Sequence, residues 1–203
     1  TSVAGDAKHT ADYVRNCRDM GVELLPPSVM KSQMNYSVED GKIRFGLLSV
    51  KNVGVGIIEA LIKAGEEIGE TQDFYEFIGA VDAKELNRKA IESLIRAGAF
   101  DDINPNRAVL MAISDEAVQR AQKMARSQNA NQISLFQMDG FKESVQMTPA
   151  LPRVENFNKA ELLSMEKEMI GVYLSGHPLD DYKQEIENNI TATSSDLVAV
   201  ADE

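Results

Sequence analysis

The sequence is short of the residues that build metal centres and covalent frameworks. One cysteine, Cys17, cannot form an internal disulfide, and it makes a reducing cytoplasm the expected compartment. No histidine stands near it in sequence, so it reads as a packing residue and not a nucleophile. The two histidines, His9 and His177, have no second His or Cys at ligand spacing, which argues against zinc and haem. His177 is expected to serve a turn. Asp101-Asp102 and Asp180-Asp181 are adjacent pairs without a third carboxylate, weak grounds for a divalent ion. No G-x-x-x-x-G-K-[ST] loop, nucleophile elbow or kinase set is present. No long apolar run suggests a membrane span, and the first residues lack the basic-then-apolar order of a signal peptide.

Basic charge is also scarce. Lys and Arg number 21 against 32 Asp and Glu, a net charge of −11. The acid is concentrated late: residues 137–203 hold 13 acidic and 5 basic side chains, leaving −3 for everything before. Lys42, Arg44, Lys51 and Lys63 face a single Glu59 around the middle of the first half, and Lys84, Arg88, Lys89, Arg96 and Arg107 follow. These residues can form a basic face for nucleic acid or an ordinary mixed-charge surface. At 203 residues the chain suits one large domain or two small ones.

What is present is organised around residues 46–65, GLLSVKNVGVGIIEALIKAG. Leu47, Leu48 and Val50 precede the turn Val53-Gly54-Val55-Gly56, and Ile57, Ile58, Leu61 and Ile62 then recur on one helical face. That pattern reads as a helix-hairpin-helix. Glycines at 54 and 56 are expected to permit unusual dihedrals and to leave amides uncovered, so that successive N–H groups meet a phosphate oxygen. Such a contact holds a nucleic-acid backbone and reads no bases. The alternative is a turn that only joins two core helices.

Upstream, Ala7, Ala11, Val14, Cys17 and Arg18 predict a helix stopping at Gly21, and residues 22–25 run extended into Pro26-Pro27. Residues 34–38 and 42–45 alternate as strands around the turn signal Glu39-Asp40-Gly41. So small a ribbon needs support, from this chain or from residues outside it. Downstream, Phe74, Phe77 and Ile78 predict a helix over the hairpin, and Asp82 can cap another that carries Leu86, Ala90, Ile91, Leu94 and Ile95 to Gly98. Asn104-Pro105 starts the next helix, with proline at its first position. This makes a second, weaker hairpin unit through Ala97-Gly98-Ala99. The helix fades into linker composition at residues 127–131.

Gln132-Ile133-Ser134-Leu135-Phe136 follows, with two large apolar side chains in a polar stretch. They can anchor in a partner's pocket or fold back on this chain. Pro149 and Pro152 mark a loop. Asn158 with Glu161 predicts a capping box for a helix through Leu162, Leu163, Met165, Met169 and Ile170, ended by Gly176 and Pro178. A short helix over 180–187 is expected next, and residues 197–200 look like the start of a further element.

Several of these segments together resemble the bacterial DNA polymerase III alpha subunits, the C-family replicative polymerases. They are Met20-Gly21 through Leu25-Pro26-Pro27, Ile43-Arg44-Phe45-Gly46-Leu47, Val50-Lys51-Asn52-Val53-Gly54, Leu86-Asn87-Arg88, residues 94–101 (LIRAGAFD) and residues 173–179 (YLSGHPL), in that family's order. The resemblance implies a mainly α fold with a small β-hairpin: end of the fingers at 1–45, tandem helix-hairpin-helix domain at 46–127, linker at 128–157, and helices at 158–203 leading to an OB-fold that is absent. It implies double-stranded DNA as a partner, held at Lys51, Asn52, Val53, Gly54, Val55 and Gly56 and at Arg88, Arg96 and Gly98. It also implies a sliding clamp bound through Gln132, Ser134, Leu135 and Phe136, and the remaining domains of the polymerase and its holoenzyme. The family's catalytic aspartates and their divalent metal ions (Mg) lie in a palm not represented here. No cofactor and no catalysis are therefore expected of this chain alone. The other readings are the error-prone paralogue of the family, a DNA-repair adaptor and a protein-binding scaffold.

Overall fold

The computed structural model describes residues 7–134 and 149–182. Among them lie six α-helices and one three-stranded sheet, so the mainly α expectation with a small ribbon holds. Helix α1 (Ala7–Asp19) ends as its glycine predicts. Gly21 takes φ 71°, its amide donates to the Arg18 carbonyl, and Val22 donates to Cys17 at 2.8 Å. These two bonds satisfy carbonyls that a helix end otherwise leaves without donors.

Strands β2 (Ser37–Glu39) and β3 (Lys42–Arg44) pair antiparallel with Glu39 opposite Lys42. Asp40 and Gly41 both have positive φ, the two-residue turn that the Asp-Gly pair encodes. The support for this ribbon comes from within the chain. Strand β1 (Leu24–Leu25) adds parallel to β3, giving the order β1-β3-β2. Arg44, counted in sequence with the surface cations, is buried and pairs with Glu39 while donating to the Pro26 carbonyl.

The helices differ from expectation mainly at their ends. The first arm of the leading hairpin is a single 3₁₀ turn over Leu47–Ser49, and α2 (Val55–Ile68) passes through Gly65 to stop at Gly69. Gly65 lies inside the helix, where a Cβ would stand 3.2 Å from Val29 O, so glycine there lets residues 28–30 approach closely. Helix α3 (Phe74–Ala80) begins at Asp73, whose carboxylate accepts from Tyr75 and Glu76. Helix α4 (Arg88–Arg96) is capped by Asn87, not Asp82, which instead holds the turn before it. Helix α5 (Arg107–Ser134) starts two residues after Pro105, with Asn106 accepting from Val109, and its backbone continues through the residues expected to be linker. Helix α6 (Lys159–Ile170) has the capping box between Asn158 and Glu161.

One hydrophobic cluster joins these helices. Ile58 and Leu61 of α2, Phe77 and Ile78 of α3, Ile91, Leu94 and Ile95 of α4 and Leu110 of α5 are fully buried. Each such side chain contributes about 1.5–3 kcal/mol by leaving water. Phe100, in the turn between α4 and α5, meets Phe74 and Phe77 edge-on at 5.2 and 5.8 Å. Met169, Ile170 and Val172 enter the same cluster, so the last helix packs onto the hairpin region. A 3₁₀ turn over Asp180–Tyr182 is described where the short helix was expected. The rest of that helix, Leu135, Phe136 and residues 197–200 lie outside the described residues. Among the described residues no helix is long and apolar enough to cross a membrane.

Candidate nucleic-acid interface

The leading turn is plugged from below and open above. Val50 and Val53 are buried in the core, while Lys51, Asn52, Gly54 and Val55 are exposed. Alternation between anchored valines and exposed neighbours fixes which side of the turn faces solvent. Asn52, and neither glycine, takes the left-handed conformation, with φ 64°. Asparagine is among the few residues besides glycine that visit this region, and Asn52 Nδ2 donates to Ser93 Oγ of α4 at 3.2 Å. On the far side the Lys51 amide donates to the Met169 carbonyl of α6 at 3.0 Å. Two helices distant in sequence therefore hold the turn.

Gly54 is extended, at φ −91° and ψ 169°, and Gly56 lies inside α2, so their role is space and not dihedral freedom. A Cβ at Gly54 would meet nothing within 4 Å. One at Gly56 would meet the Glu85 carboxylate, whose side chain lies against the first turn of α2. No side chain caps α2, in contrast to α3, α4 and α6. Among the described residues the amides of Val55, Gly56 and Ile57 have no protein acceptor. A helix start in this state carries partial positive charge and unsatisfied donors, which suit an anion.

The second turn is closed. Gly98, with φ 80°, is buried, and its amide is spent on the Ile95 carbonyl as Ala99 donates to Leu94. Arg107 lies over it, with Nη2 2.2 Å from where a Cβ would stand. The start of α5 is satisfied internally too, since Val109 donates to Asn106 and Ala108 to Asn156. Gly98 thus ends α4 and admits Arg107, and its own amide is taken. Sequence resemblance between the two turns hid this difference, because only tertiary packing puts an arginine over one of them.

The cations sort in the same way. Arg96 forms a two-pronged pair with Glu168 of α6, and Arg88 is engaged by Glu92 and Asp115. Arg107 is buried and bonded to Asp101 and Glu166. Burial alone would lower the Arg107 guanidinium, but the hydrogen bond and charge of Asp101, then the charge and hydrogen bond of Glu166, raise it above its ordinary value. Glu166 is itself 1% exposed and accepts from Arg107, Leu174 N, Ser175 N and Ser175 Oγ. The reading of the sequence passed over this residue. The one available signal was a glutamate on the apolar side of α6, between Leu163 and Ile170. Asp102, the neighbour of Asp101, is taken by Ser28 and Lys31. His177 serves a turn, its Nδ1 accepting from Leu179 N, and stands edge-on to Tyr173. Among the described residues no group of three or more His, Cys, Asp or Glu is placed to hold a metal ion.

The first turn and its flanking helices define a helix-hairpin-helix module, and residues 21–110 match the family described as helix-hairpin-helix motif. The chain is 35% identical over 186 residues to DNA polymerase III subunit alpha of Bacillus subtilis, covering 92% of this chain and 16% of that protein. It is 36% identical over 190 residues to the subunit of Campylobacter jejuni, with the same two shares. Against that of Mycobacterium leprae it is 36% identical over 181 residues, 89% of this chain and 15% of the relative. Over about nine-tenths of its own length the chain is therefore similar to one stretch of DNA polymerase III alpha subunits. It spans about 16% of the length of those relatives.

Proposed function

We propose that the chain holds duplex DNA by its phosphate backbone, as part of a replicative DNA-directed DNA polymerase whose chemistry is performed by other residues of the polymerase. The observation that carries this reading is the start of α2: uncapped, preceded by a glycine that faces open space, and flanked by the exposed Lys51. A phosphate seated there would take up free amides without any base contact, as a polymerase that must slide along every sequence requires. Gly98, Arg88 and Arg96 are engaged within the protein, so the first turn is the contact we assign. The DNA-repair adaptor and scaffold readings gain no observation of their own.

The test is binding of a duplex by the chain and by its Gly54→Val variant. Because a Cβ at position 54 would meet no protein atom within 4 Å, the variant should fold while placing a branched group before the amides. We expect parent binding that falls linearly in log affinity against log salt and is independent of sequence. The variant should bind about tenfold more weakly, in keeping with the loss of about one charge-assisted hydrogen bond. Unchanged affinity in the folded variant would remove this turn from the DNA site.

The same proposal gives Gln132, Ser134, Leu135 and Phe136 the task of tethering the polymerase to its sliding clamp. The support is the pattern of the five residues, of which the first three form the end of α5. Two apolar anchors buried in a pocket contribute about 1.5–3 kcal/mol each before ordering is charged against them. The Leu135→Ala/Phe136→Ala variant should therefore lose clamp binding by about 100-fold or more while keeping its affinity for DNA. Calorimetric titration with a purified bacterial clamp reads this directly. A parent chain that ignores the clamp would end the assignment.

A further inference from the structure

One cation on the face of α4 turned towards the first turn is omitted from the expected DNA contacts. Ser93 meets the Asn52 side chain at 3.2 Å, which sets the face of α4 turned towards the leading hairpin. Residues four apart on a helix share a face, so Lys89 stands one turn from Ser93 towards the start of α4. Side chains on a helix lean towards its N-terminus, so Lys89 extends along the segment whose Glu85 lies against Gly56. Lys89 is exposed and, among the described residues, enters no ion pair. Arg88, its neighbour, turns instead to Glu92 at 2.6 Å and to Asp115 at 3.6 Å.

Resting on the backbone-holding function proposed above, we infer that Lys89 is a phosphate-contacting residue of the same DNA site. It stands on the α4 side of the turn, and Lys51, whose amide is tied to α6, stands on the other. The helix-hairpin-helix turn thus reads as one grip assembled from both units: amides and Lys51 from the first, Lys89 from the second. Its substrate is the sugar-phosphate backbone of duplex DNA. Glu85 is the negative neighbour of the grip, and it sets a repulsive side that helps to orient the backbone across Lys89. Arg88 is left out of this contact because its guanidinium is turned to Glu92 and Asp115.

Anisotropy titration of a labelled duplex over a salt series, using the 203-residue chain and its Lys89→Gln, Arg88→Gln and Lys89→Arg variants, tests the inference. The two Gln variants remove the same charge from adjacent exposed positions. Lys89→Gln should weaken binding by about three- to tenfold at ~0.1 M salt and reduce the log–log salt slope by about one. Arg88→Gln should stay within about twofold, and Lys89→Arg should keep the parental slope. Equal losses in the two Gln variants would reduce Lys89 to a share of net charge and overturn the assignment. So would an unchanged Lys89→Gln in a chain whose binding still responds to Gly54→Val. A parent that does not bind duplex at all overturns the backbone-holding function itself, and this inference with it.

Discussion

Replacing Glu166 with alanine is expected to lower the unfolding free energy by about 3–5 kcal/mol, the range for breaking a buried ion pair by removing one partner. Glu166 is 1% exposed and receives four hydrogen bonds, from Arg107 Nη2, Leu174 N, Ser175 N and Ser175 Oγ, at 2.9 to 3.3 Å. Its loss would strand two backbone donors and part of a buried guanidinium, and each buried group left without a partner costs about 1–3 kcal/mol. Asp101 would retain Arg107, through contacts of 2.6 to 3.2 Å, which limits the damage. Urea unfolding gives the magnitude, and hydrogen exchange at Leu174 and Ser175 gives the location. A change below about 1 kcal/mol, the ordinary value of a surface pair, would mean that the network is not what fastens residues 173–175 to α6. The network also shapes the second turn, because Arg107 covers Gly98 and donates to the Arg96 carbonyl at 3.2 Å. Loosening it is expected to open the second turn.

Gly46→Ala is expected to destabilise by about 3 kcal/mol, near the upper end for inserting a single methyl into a packed site. Gly46 has an ordinary extended backbone, φ −76° and ψ 155°, so dihedral strain is not the reason. A Cβ there would stand 2.3 Å from the Asn35 carbonyl carbon, 2.5 Å from the Met34 oxygen and 2.6 Å from the Asn35 Cα. These are backbone atoms and cannot rotate aside. The bonds Leu47 N to Gln33 O and Leu48 N to Met34 O fix the two segments against each other at 3.1 and 3.0 Å. The same substitution at Gly79, inside α3 with nothing within 4 Å, should instead stabilise by up to about 1 kcal/mol through helix propensity. Opposite signs in thermal unfolding check both. A tolerated Gly46→Ala would show that residues 33–35 can move away from the 3₁₀ turn, and the leading hairpin would then be less firmly held than its contacts indicate.

Much of the fold was legible because it rests on signals that act within a few residues. Asp40-Gly41 dictates a two-residue turn, Gly21 ends α1, and Asn158 with Glu161 starts α6; each works through bonds to neighbours in sequence. The buried stripe of α4, Ala90, Ile91, Leu94 and Ile95, follows from helical period alone. Boundaries slipped where a competing residue won. Asn87 displaced Asp82 as the cap of α4. The third strand was missed as such because β1 and β3 pair across eighteen intervening residues, and two-residue strands carry almost no period.

The candidate site divides along the same line. The sequence by itself determined that a glycine-flanked turn precedes an amphipathic helix at residues 53–62, and that a second turn of similar outline follows near Gly98. Both are local patterns of residue type and spacing. Only the tertiary structure decided which turn is open. Arg107, brought over Gly98 by Asp101 and by Glu166, fifty-nine residues further along, closes the second one. Asn52 on Ser93 and the Lys51 amide on Met169 hold the first one in place, and among the described residues the amides of Val55, Gly56 and Ile57 stay without a protein acceptor. Charge was decided in the same way: Arg44, Arg88, Arg96 and Arg107 are all spent on carboxylates. The physical reason is that a turn's shape is set by dihedrals and close neighbours. Whether its donors and charges remain available depends on side chains that arrive from anywhere in the chain.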